Sequence, residues 1–76
     1  MWVRSQNKEA LVDVKAFDIV KRKANFHIVG YLKSINDNGF YLGIYKTEEQ
    51  VKKILDELQC RIAKSESGVF QMPEDE

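Results

Sequence analysis

LVDVKAFDIV, residues 11–20, changes hydrophobic parity part-way along. Val12, Val14 and Ala16 share one side of an extended chain, whereas Phe17 and Ile19 share the other. One inserted residue in a strand produces such a switch, so the pattern predicts a single strand with a bulge near Ala16 and Phe17. Upstream, residues 2–6 alternate as a short first strand, and Asn7, Lys8 and Glu9 form a polar turn. Downstream, a basic turn at 21–25 leads into a third strand at 26–32. Its Phe26, Ile28, Gly30 and Leu32 lie on one face and His27, Val29 and Tyr31 on the other. Asn38 followed by Gly39 is a hairpin signal, and residues 40–45 make a fourth strand. Unbroken alternation there places Phe40, Leu42 and Ile44 on one face and Tyr41, Gly43 and Tyr45 on the other.

After Tyr45 the period changes. Val51, Ile54, Leu55, Leu58 and Ile62 recur at helical spacing and trace one narrow apolar stripe. Thr47 and Gln50 fit a capping box, in which each side chain serves the other's backbone amide. Glu48 and Glu49 suit the positive end of the helix dipole. The helix is expected over 48–64 with Gly68 as its stop. A last strand follows at 69–72, and Pro73 ends it. The order is thus β-β-β-β-α-β. One stripe on one helix needs one apolar sheet face, which Phe26, Ile28, Leu32, Phe40, Leu42 and Ile44 supply. The fold class is α+β: a mostly antiparallel sheet packed on one amphipathic helix, with Leu55 and Leu58 almost fully buried. Residues 1–73 form a single domain and 74–76 an acidic tail.

A chain of 76 residues holds one small core and gains from self-association. Its twelve basic and twelve acidic residues cancel, so no net charge draws it to nucleic acid or to an anionic membrane. The distribution is uneven. Residues 1–46 carry eight Lys and Arg against four Asp and Glu, and residues 47–76 carry the reverse. The single cysteine excludes an internal disulfide. No apolar run approaches the roughly 18 residues of a membrane span, and the start carries no secretion pattern. No internal repeat is visible.

Chemistry is sparse. His27 is the sole histidine and Cys60 the sole thiol, so no set of His and Cys has metal-ligand spacing. The four glycines are isolated and make no phosphate loop. Tyr45 and Thr47, at the strand-to-helix junction, are explained by a strand end and a helix cap. No enzymatic activity, metal or cofactor is expected. Two features point elsewhere. Tyr31, Tyr41, Tyr45, Val29 and His27 are expected to share the sheet face away from the helix, and a tyrosine-rich open face suits a protein interface. Cys60 falls opposite the helix stripe, which makes it a second interface candidate. With Lys21, Arg22, Lys23 and Lys33 nearby, the tyrosine face also has the makings of a stacking platform for single-stranded nucleic acid.

Three stretches carry a resemblance: MWVRSQ at 1–6, LGIYKTEEQVKKILDEL at 42–58 and VFQMPED at 69–75. Together they resemble a group of short, uncharacterised proteins of phages and prophages of Gram-positive bacteria. Those chains have similar length, so the likeness spans nearly the whole protein, although 17–38 contributes little to it. The resemblance implies a mobile-element setting and a bacterial cytoplasm, and it brings no catalytic residue. The expected function is a non-enzymatic accessory protein that binds other proteins, as a homodimer or with a phage or host partner.

Overall fold

The structure is a computed structural model that describes residues 1–32, 39–65 and 68–75. The decisive stretch at 11–20 is not one strand. It divides into β2 (Leu11–Asp13) and β3 (Ala16–Arg22), which belong to different sheets. β2 runs antiparallel to β1 (Trp2–Arg4), with Val3 opposite Val12. β3 runs antiparallel to β4 (Asn25–Tyr31), with Ile19 opposite Ile28. The crossing is made by two successive amides. The Val14 N–H donates to the Met1 carbonyl at 2.7 Å, and the Lys15 N–H donates to the Tyr31 carbonyl at 2.8 Å. Tyr31 is also the register partner of Ala16, and from Ala16 to Arg22 the pairing runs without a shift, so the bulge expected near Ala16 and Phe17 is not there. The parity switch has another cause. Both sheets face one core, and the chain changes sheet through a bend at Val14 and Lys15, the place where the inward parity switches.

The first sheet has the order β2-β1-β6, where β6 (Val69–Gln71) lies parallel to β1; the second has the order β3-β4-β5, with β5 at Phe40–Tyr45. The class is α+β, with five strands before the helix among the described residues instead of the four expected. The first sheet sends Val3, Phe70 and Met72 into the core, and the second sends Ile28, Leu42 and Tyr45.

A bulge elsewhere decides what β5 exposes. Val29 pairs with Tyr41 but Ile28 pairs with Gly43, which leaves Leu42 as the extra residue. Inward positions on β5 are therefore Leu42 and Tyr45, three apart, and both are buried, whereas Ile44 is 43% exposed. The expected alternation fails at this point. Tyr45 moves into the core, and Ile44 moves out. Leu32 (44% exposed) and Phe40 (36%) also lie outside the core the alternation assigned them. Gly43 makes the new arrangement possible. A Cβ there would stand 2.8 Å from the Tyr45 hydroxyl, so the ring occupies space that only glycine leaves open.

The free edge of β5 is covered by one residue. The Gln6 N–H donates to the Leu42 carbonyl at 2.8 Å. The Gln6 side-chain amide then accepts from the Ile44 N–H at 2.9 Å and donates to the Ile44 carbonyl at 3.1 Å. Gln6 pairs with Ile44 as a residue of a neighbouring strand would, and ties the first sheet to the second. At the other end of β1, the Met1 amino group donates to Asp13 at 2.9 Å. That bond, aided by Lys15, holds the Asp13 carboxyl below its ordinary value.

The helix α1 spans Glu48–Ala63. Thr47 caps it, accepting from the Gln50 N–H at 3.2 Å. The Gln50 side chain does not complete the box; its amide donates to the Glu74 carbonyl at 3.5 Å and so meets the tail. Val51, Ile54 and Leu58 are buried. Leu55 is only half-buried and Ile62 is 55% exposed, so the buried stripe is narrower than the apolar one. The Lys64 N–H closes the last turn onto the Cys60 carbonyl, and Ser65 reverses the chain at φ 54°. Ser65, not Gly68, takes the left-handed position that terminates helices. Ser65→Gly is expected to raise stability by about 0.5–1 kcal/mol, measured by urea unfolding, because glycine carries no Cβ penalty there.

Candidate interaction cleft

On the sheet face away from the helix, β4 and β5 form the floor of a cleft of about 510 Å³, and the turn between β1 and β2 forms its wall. That turn is internally tied. The Ser5 hydroxyl is buried, donates to Asn7 Oδ1 at 2.6 Å and accepts from the Ala10 N–H at 3.1 Å. The Ser5 N–H donates to the Ala10 carbonyl at 2.9 Å, and the Glu9 N–H donates to Asn7 Oδ1 at 3.0 Å. The left-handed backbone of Lys8 (φ 67°) allows the reversal. Every one of these bonds is local, so the wall is set before anything docks against it.

The floor presents Tyr41 and Ile44, each 43% exposed, with Phe40 at the rim. The His27 ring meets Tyr41 edge-on, with centroids 5.0 Å apart and planes at 71°. The Arg22 guanidinium lies 5.9 Å from the Tyr41 centroid, within cation–π range. Among the described residues, no hydrogen bond joins His27 to a hydroxyl or thiol, and no group of three His, Cys, Asp or Glu converges in ligating geometry.

Of the residues expected on this face, the structure brings His27 and Tyr41 together and leaves both accessible. Val29 faces the same way but is 2% exposed. Gly39, at φ 76°, passes so close that a Cβ on it would stand 2.6 Å from Val29 and 3.0 Å from Tyr31. Tyr31 is half-buried beside it. Tyr45 is on the opposite side altogether, in the core, for the reason the β5 bulge supplies. Cys60 is exposed on the helix, as its angular position predicts, and takes no part in the cleft. Lys21, Arg22 and Lys23 are exposed at the β3–β4 turn, with Lys21 5.6 Å from the Phe26 centroid. Lys33 and Asn38 lie outside the described residues. The alternation assigned Ile44 and Phe40 to the core and missed both as cleft residues. The isolated Gly43 inside a strand is the signal that finds Ile44, because such a glycine often marks a bulge; Phe40 lies before the bulge, opposite Gly30, and is exposed at the strand's start. Gln6 and the 5–10 turn carry no comparable mark. No family model, curated protein or solved structure matches the chain.

Proposed function

We propose that this chain is a non-enzymatic protein-interaction module that self-associates and offers the Tyr41 cleft to a further protein. The observation that carries the reading is the pair of half-exposed apolar side chains, Tyr41 and Ile44, against a pre-formed turn on a sheet face that the helix leaves open. Aromatic groups set in a rigid concavity are the usual anchor points of protein interfaces. Small size and the opposed charges of the two halves of the chain favour self-association. The resemblance to short phage and prophage proteins supports an accessory role in a mobile element.

Single-strand binding is the weaker reading. A stacking platform needs successive open rings. Here Tyr45 is buried, Tyr31 is half-buried, and Arg22 already lies near the face of Tyr41. Sedimentation equilibrium at tens of micromolar is expected to give about twice the chain mass of 8.9 kDa. A monomer mass at every concentration would sink the self-associating reading. In parallel, a fluorescent single-stranded oligonucleotide at low salt is expected to stay unbound. Salt-dependent binding that Tyr41→Ala removes would instead favour the platform.

A further inference from the structure

We infer that two copies join along the open edge of β3, as antiparallel strands with Val20 on the two-fold axis. The inference rests on the self-associating reading and names its contact. The second sheet has two edges. Gln6 fills that of β5, whereas β3, among the described residues, has a partner only on its β4 side.

The hairpin fixes which groups this edge presents. Arg22 pairs with Asn25 across the two residues Lys23 and Ala24. The pair that closes a two-residue hairpin exchanges both of its backbone bonds, and bonded pairs then alternate along the ladder. Ala16, Asp18, Val20 and Arg22 therefore turn their backbone groups toward β4. Phe17, Ile19 and Lys21 turn theirs outward. An independent contact agrees: the Ile19 N–H is taken by the Asp18 carboxylate at 2.8 Å. Among the described residues no other segment bonds to this edge.

Side-chain charge then selects the register. Outward groups must meet outward groups, so odd-numbered residues pair with odd. With Val20 on the axis, Ile19 of one copy bonds Lys21 of the other. The neighbouring positions set Asp18 of each copy opposite Arg22 of the other, as non-bonded pairs whose side chains lie closest. Sliding the axis to Ile19 sets Asp18 against Val20 and leaves the charges unmatched. Sliding it to Lys21 sets two lysines face to face. Charged residues commonly keep an edge strand from pairing. Here pairing would satisfy them: the Arg22 guanidinium would turn from the Tyr41 ring of its own chain to Asp18 of the second copy, and the Ile19 N–H would exchange the Asp18 carboxylate for a backbone carbonyl.

A third feature lies beside the same edge. Phe17, Leu55 and Ile62 line an open apolar groove of about 280 Å³ at the start of β3, and Ile62 is 55% exposed. The register lays the 23–24 turn of the second copy next to Phe17, so the stem of its Lys23 can cover apolar surface there while its amine stays in water. The axis of an antiparallel pair stands perpendicular to the sheet. Both helices then fall on one side of a continuous six-stranded sheet, and both Tyr41 clefts stay open on the other.

A charge exchange tests this. Asp18→Arg alone and Arg22→Asp alone are each expected to weaken the dimer at least about tenfold, because each sets like charges opposite. The double variant Asp18→Arg/Arg22→Asp is expected to return to within about threefold of the wild type, read by sedimentation equilibrium with far-UV circular dichroism unchanged. Should the single variants misfold, Val20→Cys in a Cys60→Ser chain gives a second readout. It is expected to form an interchain disulfide under mild oxidation. A wild-type dimer that both single variants leave intact, and that Val20→Cys does not cross-link, overturns the edge contact but not self-association. Dissociation by Tyr41→Lys in that case would move the contact to the cleft. A wild-type monomer overturns both.

Discussion

Leu58→Ala is expected to cost about 2–5 kcal/mol, the range for a buried leucine whose removal leaves a cavity. Leu58 is 1% exposed and belongs to the core cluster shared by both sheets and the helix. A domain of this length has a total stability of roughly 4–11 kcal/mol, taking about 0.05–0.15 kcal/mol per residue. The loss is thus a large part of the whole, and the variant is expected to unfold at much lower urea with an unchanged slope. Leu55→Ala provides the control. Sequence periodicity ranks the two leucines equally, but Leu55 is half-buried and looks onto the groove beside β3. Its truncation removes less buried surface and leaves a dent open to water, so the expected cost is about 1 kcal/mol. Equal costs at the two positions would mean that the helix presents a different face to the sheets.

That contrast marks the limit of what periodicity conveys. The helix, its Thr47 cap and the 40–45 strand follow from local rules, because each depends on neighbours a few residues away; the turn expected over 21–25 is narrowed by the Arg22–Asn25 pair to Lys23 and Ala24. The parity switch at 11–20 was legible as a switch, but its cause was not. A bulge within one sheet and a passage between two sheets leave the same trace in sequence, and only the partners of Val14 and Lys15 tell them apart. The β5 bulge was harder to see. Residues 40–45 alternate without a break, and the extra residue shows only in the pairing with β4. One displaced residue exchanged Ile44 for Tyr45 between the core and the cleft, so one of the three tyrosines expected on the open face was misassigned by a single step of register. Gln6 lies beyond any pattern, since its side chain acts as backbone to a strand 38 residues away.

Tyr45 carries the clearest prediction of pH dependence, because the bulge buried a titratable group that alternation placed in water. Its side chain is fully buried, and the hydroxyl donates to the Pro73 carbonyl at 2.7 Å. Burial, with a smaller contribution from the Asp75 carboxylate, pushes its pKa up from 10.0 to about 12. The sign follows from proton binding. Between these values the unfolded chain has released the phenolic proton and the folded chain retains it, so rising pH favours unfolding. The stabilisation is complete below pH 10 and is lost as pH climbs toward 12, at about 1.4 kcal/mol per unit, or roughly 2–3 kcal/mol in all. Tyr45→Phe keeps the ring over Gly43 and deletes the hydroxyl. At pH 7 that variant is expected to be less stable by about 0.5–1.5 kcal/mol, the worth of one hydrogen bond. Near pH 11.5 the order is expected to reverse, because phenylalanine has no proton to lose. Urea unfolding of both chains at the two pH values measures the crossing, and tyrosinate absorbance identifies the late-titrating residue by its disappearance in the variant. If the wild type remains the more stable of the two near pH 11.5, Tyr45 is reaching solvent, and the core assigned to β5 is wrong.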